Sequence, residues 1–316
     1  MLRIVIAAAA ALIAAPLGAL AQAGDPFTVD GIAVDETGAN ATAAQQSALQ
    51  TGQTLAAQRL IERLTLPEDR VEAGLQPIGP GEAAELVSGI EIADEQRSAT
   101  RYIATLSVGF GPGAVRAYLD RAGIDFVEAQ ARPVLVVPVL DGERGPTLYG
   151  AWHAAWLTGG YDHSLAPMIA YGSRTSGEGE DGSPLGAGII SASTAIAGDE
   201  EALRALGALY GVDRVAVIGA RVRSGEVSAS GRIYDFASAR GPAAPLSDPE
   251  AEDGLEADAA LAEPGPAVSS IAAVRASSFA GAASRIAQVR QEAWKREVIV
   301  RGGEERALAL TLLFDG

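Results

Sequence analysis

A regular alternation of apolar and polar residues marks residues 101–110 as the clearest element of the chain. The apolar face of this segment consists of Tyr102, Ala104, Leu106, Val108 and Phe110. A period of two is typical of a strand with one buried face. The segment before it, residues 89–98, is predicted to pair with it as a hairpin.

Apolar residues spaced three and four positions apart predict two helices in the first half. The longer helix, residues 41–64, follows a short predicted strand at 27–34 and carries an apolar stripe of Leu49, Ala56, Leu60 and Leu64. Gly52 lies near that stripe, which indicates close approach by another backbone. The shorter helix, residues 112–122, begins at a proline and ends at Gly123.

The second half alternates short predicted strands with helices. Residues 133–140, PVLVVPVL, are apolar on both faces and predict a buried strand, with Pro138 at a bulge or an unpaired edge. The remaining predicted elements are a helix at 151–157, strands at 166–173 and 187–193 around an acidic glycine loop at 177–183, a helix at 199–210, and a hairpin at 213–236 closed by Ser224-Gly225.

These elements predict an α/β fold with two small mixed sheets and helices packed on them. The expected units are residues 24–131 and 132–240, followed by a linker at 241–267 with five prolines, seven acidic residues and no basic one. Residues 268–316 are predicted to form a final helix, from about 268 to 296, and a β-hairpin that return to the second sheet.

The N-terminal residues 1–23 have the layout of a secretory signal peptide. A single arginine at position 3 precedes an apolar run, and small residues stand before cleavage sites after Ala21 or Ala23. We therefore expect a periplasmic chain that begins near Gly24. The alternative is an uncleaved anchor, since the stretch approaches the length that spans a bilayer. No later segment is apolar enough to span.

Net charge and composition restrict the classes of partner and site that this chain can have. The formal net charge is −16, which opposes binding to nucleic acid and anionic lipid. The chain has no cysteine, which excludes disulfides, thiolate metal sites and cysteine nucleophiles. The expected partner is an unknown protein of the cell envelope, and no nucleic acid is expected.

Three glycines between the strand at 101–110 and the following helix resemble a dinucleotide-binding loop. Gly109, Gly111 and Gly113 have the required spacing. However, the first strand of such a site is buried on both faces, whereas this strand alternates, and Pro112 removes an N–H that would face the phosphate. We predict that these glycines only turn the chain, and that no cofactor binds.

The only two histidines lie near two tryptophans, which makes this region the main candidate for chemistry. The candidate surface for a ligand or partner consists of Trp152, His153, Trp156, Asp162 and His163. No catalytic residue, metal ligand or cofactor ligand is assigned among them. The alternative is a hydrolase or metal-dependent enzyme centred on His153, Asp162 and His163, which requires these side chains to converge.

The stretch FGPGAVRAYLDRAGIDFVEAQARPVLVVPVL, residues 110–140, resembles the proteobacterial family of exported proteins known as domain of unknown function 2066. The opening at 29–61 and the segment with Trp152 and Trp156 are similar to that family too, so the resemblance covers most of the chain after the predicted signal peptide, about residues 27–314. It implies export and no assigned activity, so it identifies no catalytic residue.

A second resemblance covers residues 133–236. The apolar strand, the capped helix at 199–210 and the following hairpin are similar to small α/β domains of periplasmic adaptors. These include the N-terminal domain of the Tol-system propeller protein and the lipoprotein activators of penicillin-binding proteins. This resemblance implies a protein-binding module without catalysis.

Overall fold

In the computed structural model, residues 24–173, 183–237 and 265–314 are described, and they form two sheets with helices packed on them. The predicted α/β class is confirmed, because one sheet has three strands and the other six, with parallel and antiparallel pairing. The predicted signal peptide at 1–23 lies outside the described residues. The predicted acidic loop at 177–183 and linker at 241–267 lie largely outside them.

The first sheet is antiparallel, in the order β1-β3-β2. Its strands and the helices around it are β1 (Thr28–Thr37), α1 (Ala41–Leu64), α2 (Pro67–Glu72), α3 (Pro80–Leu86), β2 (Val87–Arg97), β3 (Arg101–Phe110) and α4 (Pro112–Ala122). The apolar face predicted for β3 is buried, and α1 packs on it. The glycines around Gly111 lead from β3 into α4, as predicted.

Gly52 brings α1 close to this sheet. A Cβ atom at this position would lie 2.4 Å from Leu106 Cδ1 and 3.1 Å from Val34 Cγ1. Only a residue without a side chain allows this spacing, which confirms the predicted close approach. Asn40 caps the N-terminus of α1, because its side chain accepts a hydrogen bond from the Ala43 N–H at 2.9 Å.

The second sheet has the order β5-β4-β7-β8-β9, and β6 also pairs with β4. Its elements are β4 (Val134–Gly142), β5 (Gly145–Thr147), α5 (Ala151–Leu157), a 3₁₀ turn (Tyr161–His163), β6 (Met168–Ala170), α6 (Ala192–Ala197), α7 (Glu200–Tyr210), β7 (Arg214–Arg223), β8 (Glu226–Asp235), β9 (Ala267–Ala276) and α8 (Phe279–Phe314). The buried strand, the helix before β7 and the hairpin at Ser224-Gly225 are confirmed.

Pro138 occupies the unpaired position that its chemistry requires. On one side β4 pairs continuously with β7. On the other side β6 pairs only as far as Val136 and β5 begins at Leu140, so Pro138 lies between them. On that side the Val136 carbonyl accepts a hydrogen bond from the Tyr171 N–H. Because backbone groups of a strand alternate in direction, the backbone nitrogen of Pro138, two positions later, faces the same side. The missing N–H therefore removes no ladder hydrogen bond.

Two predictions for the second half are wrong. Residues 187–193 do not form a strand, because Ser191 caps a short helix by accepting from the Thr194 N–H at 3.1 Å. The C-terminal helix does not begin near 268 and is not followed by a hairpin. Residues Ala267–Ala276 pair with β8 as β9, and α8 then continues from Phe279 to Phe314 through the expected hairpin.

The α8 helix joins the two halves of the fold. Near its start, Ala282, Ala283, Ile286 and Ala287 pack with α5 on one face of the second sheet. Further on, Trp294, Val298 and Ile299 pack against the core of the first sheet. The β-branched run that suggested a strand is therefore held in a helix by contact with a second core. Within the described residues, no helix has the length and apolar character needed to cross a membrane.

Candidate functional site

The tryptophans predicted as a surface are core residues. Trp152 has no exposed area and Trp156 is 2% exposed, and their rings meet edge to face at 5.5 Å. Trp152 Nε1 donates to the Ile218 carbonyl at 3.0 Å, which fixes α5 on the second sheet. This part of the predicted partner surface is wrong, because two indoles one turn apart on a short helix are buried by α8.

His153 is also buried, on the other side of α5. Its Nε2 lies 2.6 Å from the Tyr171 carbonyl oxygen, and its ring contacts Tyr149 edge to face. A Cβ on the neighbouring Gly172 would approach that imidazole to 3.0 Å. The histidine therefore holds the end of β6 against α5 and offers no surface to a partner.

His163 and Asp162 lie elsewhere, where the 3₁₀ turn meets the first sheet. His163 Nε2 is 2.8 Å from Asp30 Oδ2, and its Nδ1 is 3.1 Å from the Asp25 carbonyl oxygen. The backbone carbonyl of Asp162 accepts from the Gly24 N–H at 3.1 Å. The two histidines thus have separate partners, so the three side chains of the enzyme hypothesis do not share a site.

A cleft of about 390 Å³ borders the contact between the 3₁₀ turn and the first sheet. One of its charged residues, Arg63, donates to the carbonyls of Pro26 and Thr28 at 2.7 and 2.6 Å. Burial lowers the pKa of Arg63 to about 10, although Asp30 and other nearby carboxylates act to raise this pKa. The guanidinium is thus engaged in holding α1 to the start of β1. Within the described residues, no group of three or more histidine and acidic side chains has the arrangement of a metal site.

A larger groove, of about 720 Å³, lies between β9 and α8. Its apolar lining comes from β9 and from one face of α8, including Ile271, Val274, Ile286 and Val289. Four arginines also line it: Arg132, Arg214, Arg290 and Arg301. We call this site the arginine groove. Its volume is typical of ligand pockets in proteins.

Arg290 is the unusual residue of the arginine groove. Its Nε is buried without a hydrogen-bond partner, and no described residue forms an ion pair with it. Burial, with a smaller effect of the nearby Arg214, lowers the pKa of Arg290 to about 10. The guanidinium therefore stays charged at neutral pH in a place where none of the described carboxylates compensates it.

The other arginines share two carboxylates. Arg132 binds Asp235, with Nη2 to Oδ2 at 2.6 Å, and Arg301 pairs with Glu297. Arg214 Nε lies 3.4 Å from the same Asp235 oxygen, in a geometry that leaves its N–H without a hydrogen bond. Burial lowers the pKa of Arg214, and Asp235 opposes this shift. Among the described residues, four guanidinium groups thus face two carboxylates, in a chain whose net charge is −16.

Trp294 gives the groove an aromatic wall. It lies one turn after Arg290 on α8, and its Nε1 donates to the Ala129 carbonyl at 2.6 Å. This hydrogen bond fixes the indole between the groove and the core of the first sheet. Guanidinium and indole groups together suit an acidic ligand with an apolar flank.

Sequence reasoning missed this site because its lining residues come from five separate segments of the chain. Arg132 follows α4, Arg214 begins β7, and Arg290 and Trp294 lie on α8. One signal was present: Arg290 interrupts the apolar stripe of Ile286, Val289, Ala293 and Trp294 on one face of a helix. A charge on an apolar face requires a partner or a ligand.

No protein-family model matches this chain, and no curated protein matches it. The resemblance to the exported family therefore stays a prediction from the residues.

Proposed function

We propose that this chain is a non-enzymatic binding or adaptor module of the bacterial cell envelope, and that it binds an acidic group of its partner in the arginine groove. The observation that carries the proposal is Arg290, a half-buried residue whose guanidinium Nε is buried without a hydrogen-bond partner and which has no carboxylate partner among the described residues. A buried charge without a partner is expensive for a fold to keep. A ligand carboxylate would satisfy it.

The composition of the groove supports a ligand with both acidic and apolar parts. A guanidinium binds a carboxylate through two parallel N–H groups, and the apolar walls exclude the water that would weaken this contact. The groove opens on a protein of opposite overall charge, so its positive potential is local. Such a site selects an acidic group by position and does not attract anions over the whole surface.

The signal-peptide pattern at 1–23 supports the proposed location in the envelope. Two hydrogen bonds hold Gly24 in place. Its N–H donates to the Asp162 carbonyl, and its carbonyl accepts from Gln130 Nε2 at 2.8 Å. A Cβ at position 24 would lie 2.3 Å from His163 Nδ1, so only glycine fits there. Intact mass of the exported protein should give a chain that begins near Gly24. A mass that begins at Met1 would contradict export with cleavage.

Trp294 provides the reporter for a binding test. Decanoate serves as a minimal probe, because it joins a carboxylate to an apolar chain, and decyltrimethylammonium is the cationic control. We expect saturable fluorescence changes with decanoate only, because Trp294 lines the groove whereas Trp152 and Trp156 are buried in another core.

Two variants assign the signal. Arg290→Met should weaken decanoate binding about tenfold or more, since a charge-assisted contact contributes about 1.5–3 kcal/mol. Arg144→Met removes an exposed arginine from the turn after β4 and should bind like the wild type. Equal affinity of the two variants would contradict the proposed site.

A further inference from the structure

β9 is the last strand of the second sheet and pairs on one side only. Its ten residues, Ala267–Ala276, form an antiparallel ladder with β8, and no described strand pairs with its other edge. An unpaired edge presents a row of backbone N–H and C=O groups that another strand can complete.

The sequence of β9 lacks most of the usual protection of such an edge. It contains no proline, lysine, aspartate or glutamate, and its one charged residue is Arg275, near the end. Val268 is 52% exposed. A bulge at Ala272–Ala273 interrupts the ladder with β8, because Ile271 faces Gly231 and Val274 faces Ala229. The uninterrupted part of the edge is therefore Ala267–Ile271.

The arginine groove runs beside this edge. Five consecutive residues of β9, from Ser270 to Val274, line it, so it overlaps the uninterrupted part of the edge at Ser270 and Ile271. α8 returns along β9: Arg285 Nη1 donates to the Arg275 carbonyl at 2.8 Å near the end of β9, and Arg290 lines the groove together with Ser270–Val274.

The direction of β9 places the positive charges at one end of the edge. Ala267, the first residue of β9, faces Asp235 of β8, which in turn faces Arg214 of β7. Arg132 binds the same Asp235. A strand added antiparallel to β9 would therefore carry its C-terminal end toward Arg290 and Arg214.

We propose that the partner is an extended peptide segment, which adds antiparallel to the edge of β9 at Ala267–Ile271 and places a carboxylate on Arg290. This inference rests on the proposed function, because it names the class of partner for the same groove. Backbone hydrogen bonds would hold the segment, and the acidic group would fix its register. The carboxylate is either the C-terminus of the segment or an acidic side chain near it.

The test uses a hexapeptide, acetyl-Ser-Val-Thr-Val-Ser-Val, as the free acid, as the C-terminal amide, and as an amide with glutamate in the last position. Calorimetric titration of the mature protein should show binding of the free acid. A C-terminal contact predicts at least a tenfold loss on amidation. Rescue of affinity by glutamate in the amide would assign the contact to a side chain.

N-methylation of single backbone amides tests strand addition itself. Because alternate amides of an added strand face β9, N-methyl groups should reduce affinity at every second residue and leave it unchanged at the others. The amides within Ala267–Ile271 that point away from β8 should also become protected from hydrogen exchange. Equal tolerance of N-methyl groups at all positions would overturn the inference.

The outcomes separate the two proposals. Binding of decanoate without binding of any peptide leaves the proposed function standing and overturns the peptide partner. Binding of neither overturns both. A dimer of this chain joined through β9, seen as a doubled mass in solution that the peptide does not dissociate, would assign the edge to a second copy and would also overturn the peptide inference.

Discussion

At the scale of single residues, Arg290 places stability and binding in opposition. The Nε of its guanidinium is buried, Arg214 lies nearby, and no described residue supplies a carboxylate partner. Removing one member of a buried ion pair usually destabilises a protein, but here no pair is broken. A residue of similar shape without charge removes a desolvated cation and keeps the apolar packing.

We therefore predict that Arg290→Met stabilises the unliganded protein. The free energy of unfolding should rise by about 1–2 kcal/mol in chemical denaturation, because the charge no longer has to be desolvated. Arg144→Met, at an exposed position, should leave it within about 0.5 kcal/mol of the wild type. A clear loss of stability in Arg290→Met would mean that the guanidinium is compensated.

At the scale of elements, the sequence predicted those whose pattern is local. β3, α1, α4, α7 and the hairpin of β7 and β8 were predicted within a few residues, since alternation, helical spacing and glycine stops lie within each segment. β9 was not predicted, because its alanines and serines favour no strand by themselves. Only pairing with β8 makes the segment a strand.

The helix α8 was mispredicted for a related reason. The run REVIV is β-branched and precedes two glycines, which is typical of a hairpin, yet Val298 and Ile299 lie in a helix because they pack on the first core. The arginine groove lies between these two mispredicted elements, so the site was beyond sequence reasoning. Trp152, Trp156 and His153 were chosen instead because their chemistry was visible without knowledge of burial.

The packing of α1 on the first sheet gives a prediction at this scale. Gly52→Ala places a methyl group 2.4 Å from Leu106 Cδ1. The expected net loss is about 1 kcal/mol in the free energy of unfolding, since overpacking outweighs the helix-propensity gain of alanine. Gly113→Ala in α4 is the matched control, because its Cβ would meet nothing within 4 Å, and it should not destabilise. Thermal denaturation of both variants decides between them.

At the scale of the whole molecule, the reactivity of one side chain reports whether α8 is packed on the first half of the fold. Lys295 is the only lysine of the chain and its side chain is fully buried. Its Nζ donates to the carbonyls of Glu62 and Thr65, at the end of α1, at 3.0 and 2.6 Å, and pairs with Glu292 at 2.7 Å. Burial lowers the pKa of Lys295, and Glu292 opposes this shift.

An amine-reactive ester should therefore modify the native mature protein once, at its N-terminus, and the unfolded protein twice. Mass spectrometry of intact protein counts the additions, and peptide mapping locates them. Rapid modification of Lys295 under native conditions would show that α8 does not stay packed on the end of α1.

The pH dependence of binding follows from the charge of the arginine groove. Arg290 has a pKa of about 10 in the folded protein, because burial lowers it from the ordinary value of an arginine. The guanidinium is therefore protonated at all pH values well below 10, and decanoate affinity should be constant from about pH 6 to 9. It should fall above pH 10 as the cation is lost. In the same high-pH range, the contribution of Arg290 to the stability of the unliganded protein should become more favourable, because the unfolded state then binds more protons at this residue. Comparison with Arg290→Met isolates this contribution from that of tyrosines such as Tyr171, whose pKa burial raises.

The central claim is that a ligand carboxylate binds Arg290, and the resonances of the arginine side chains report on it directly. In protein labelled with ¹⁵N-arginine, the Nε–H signal that is missing from Arg290→Met belongs to Arg290. We predict that this signal shifts and saturates on titration with decanoate, while the signal of Arg144 does not move. A ligand that binds without shifting the Arg290 signal would contradict the account.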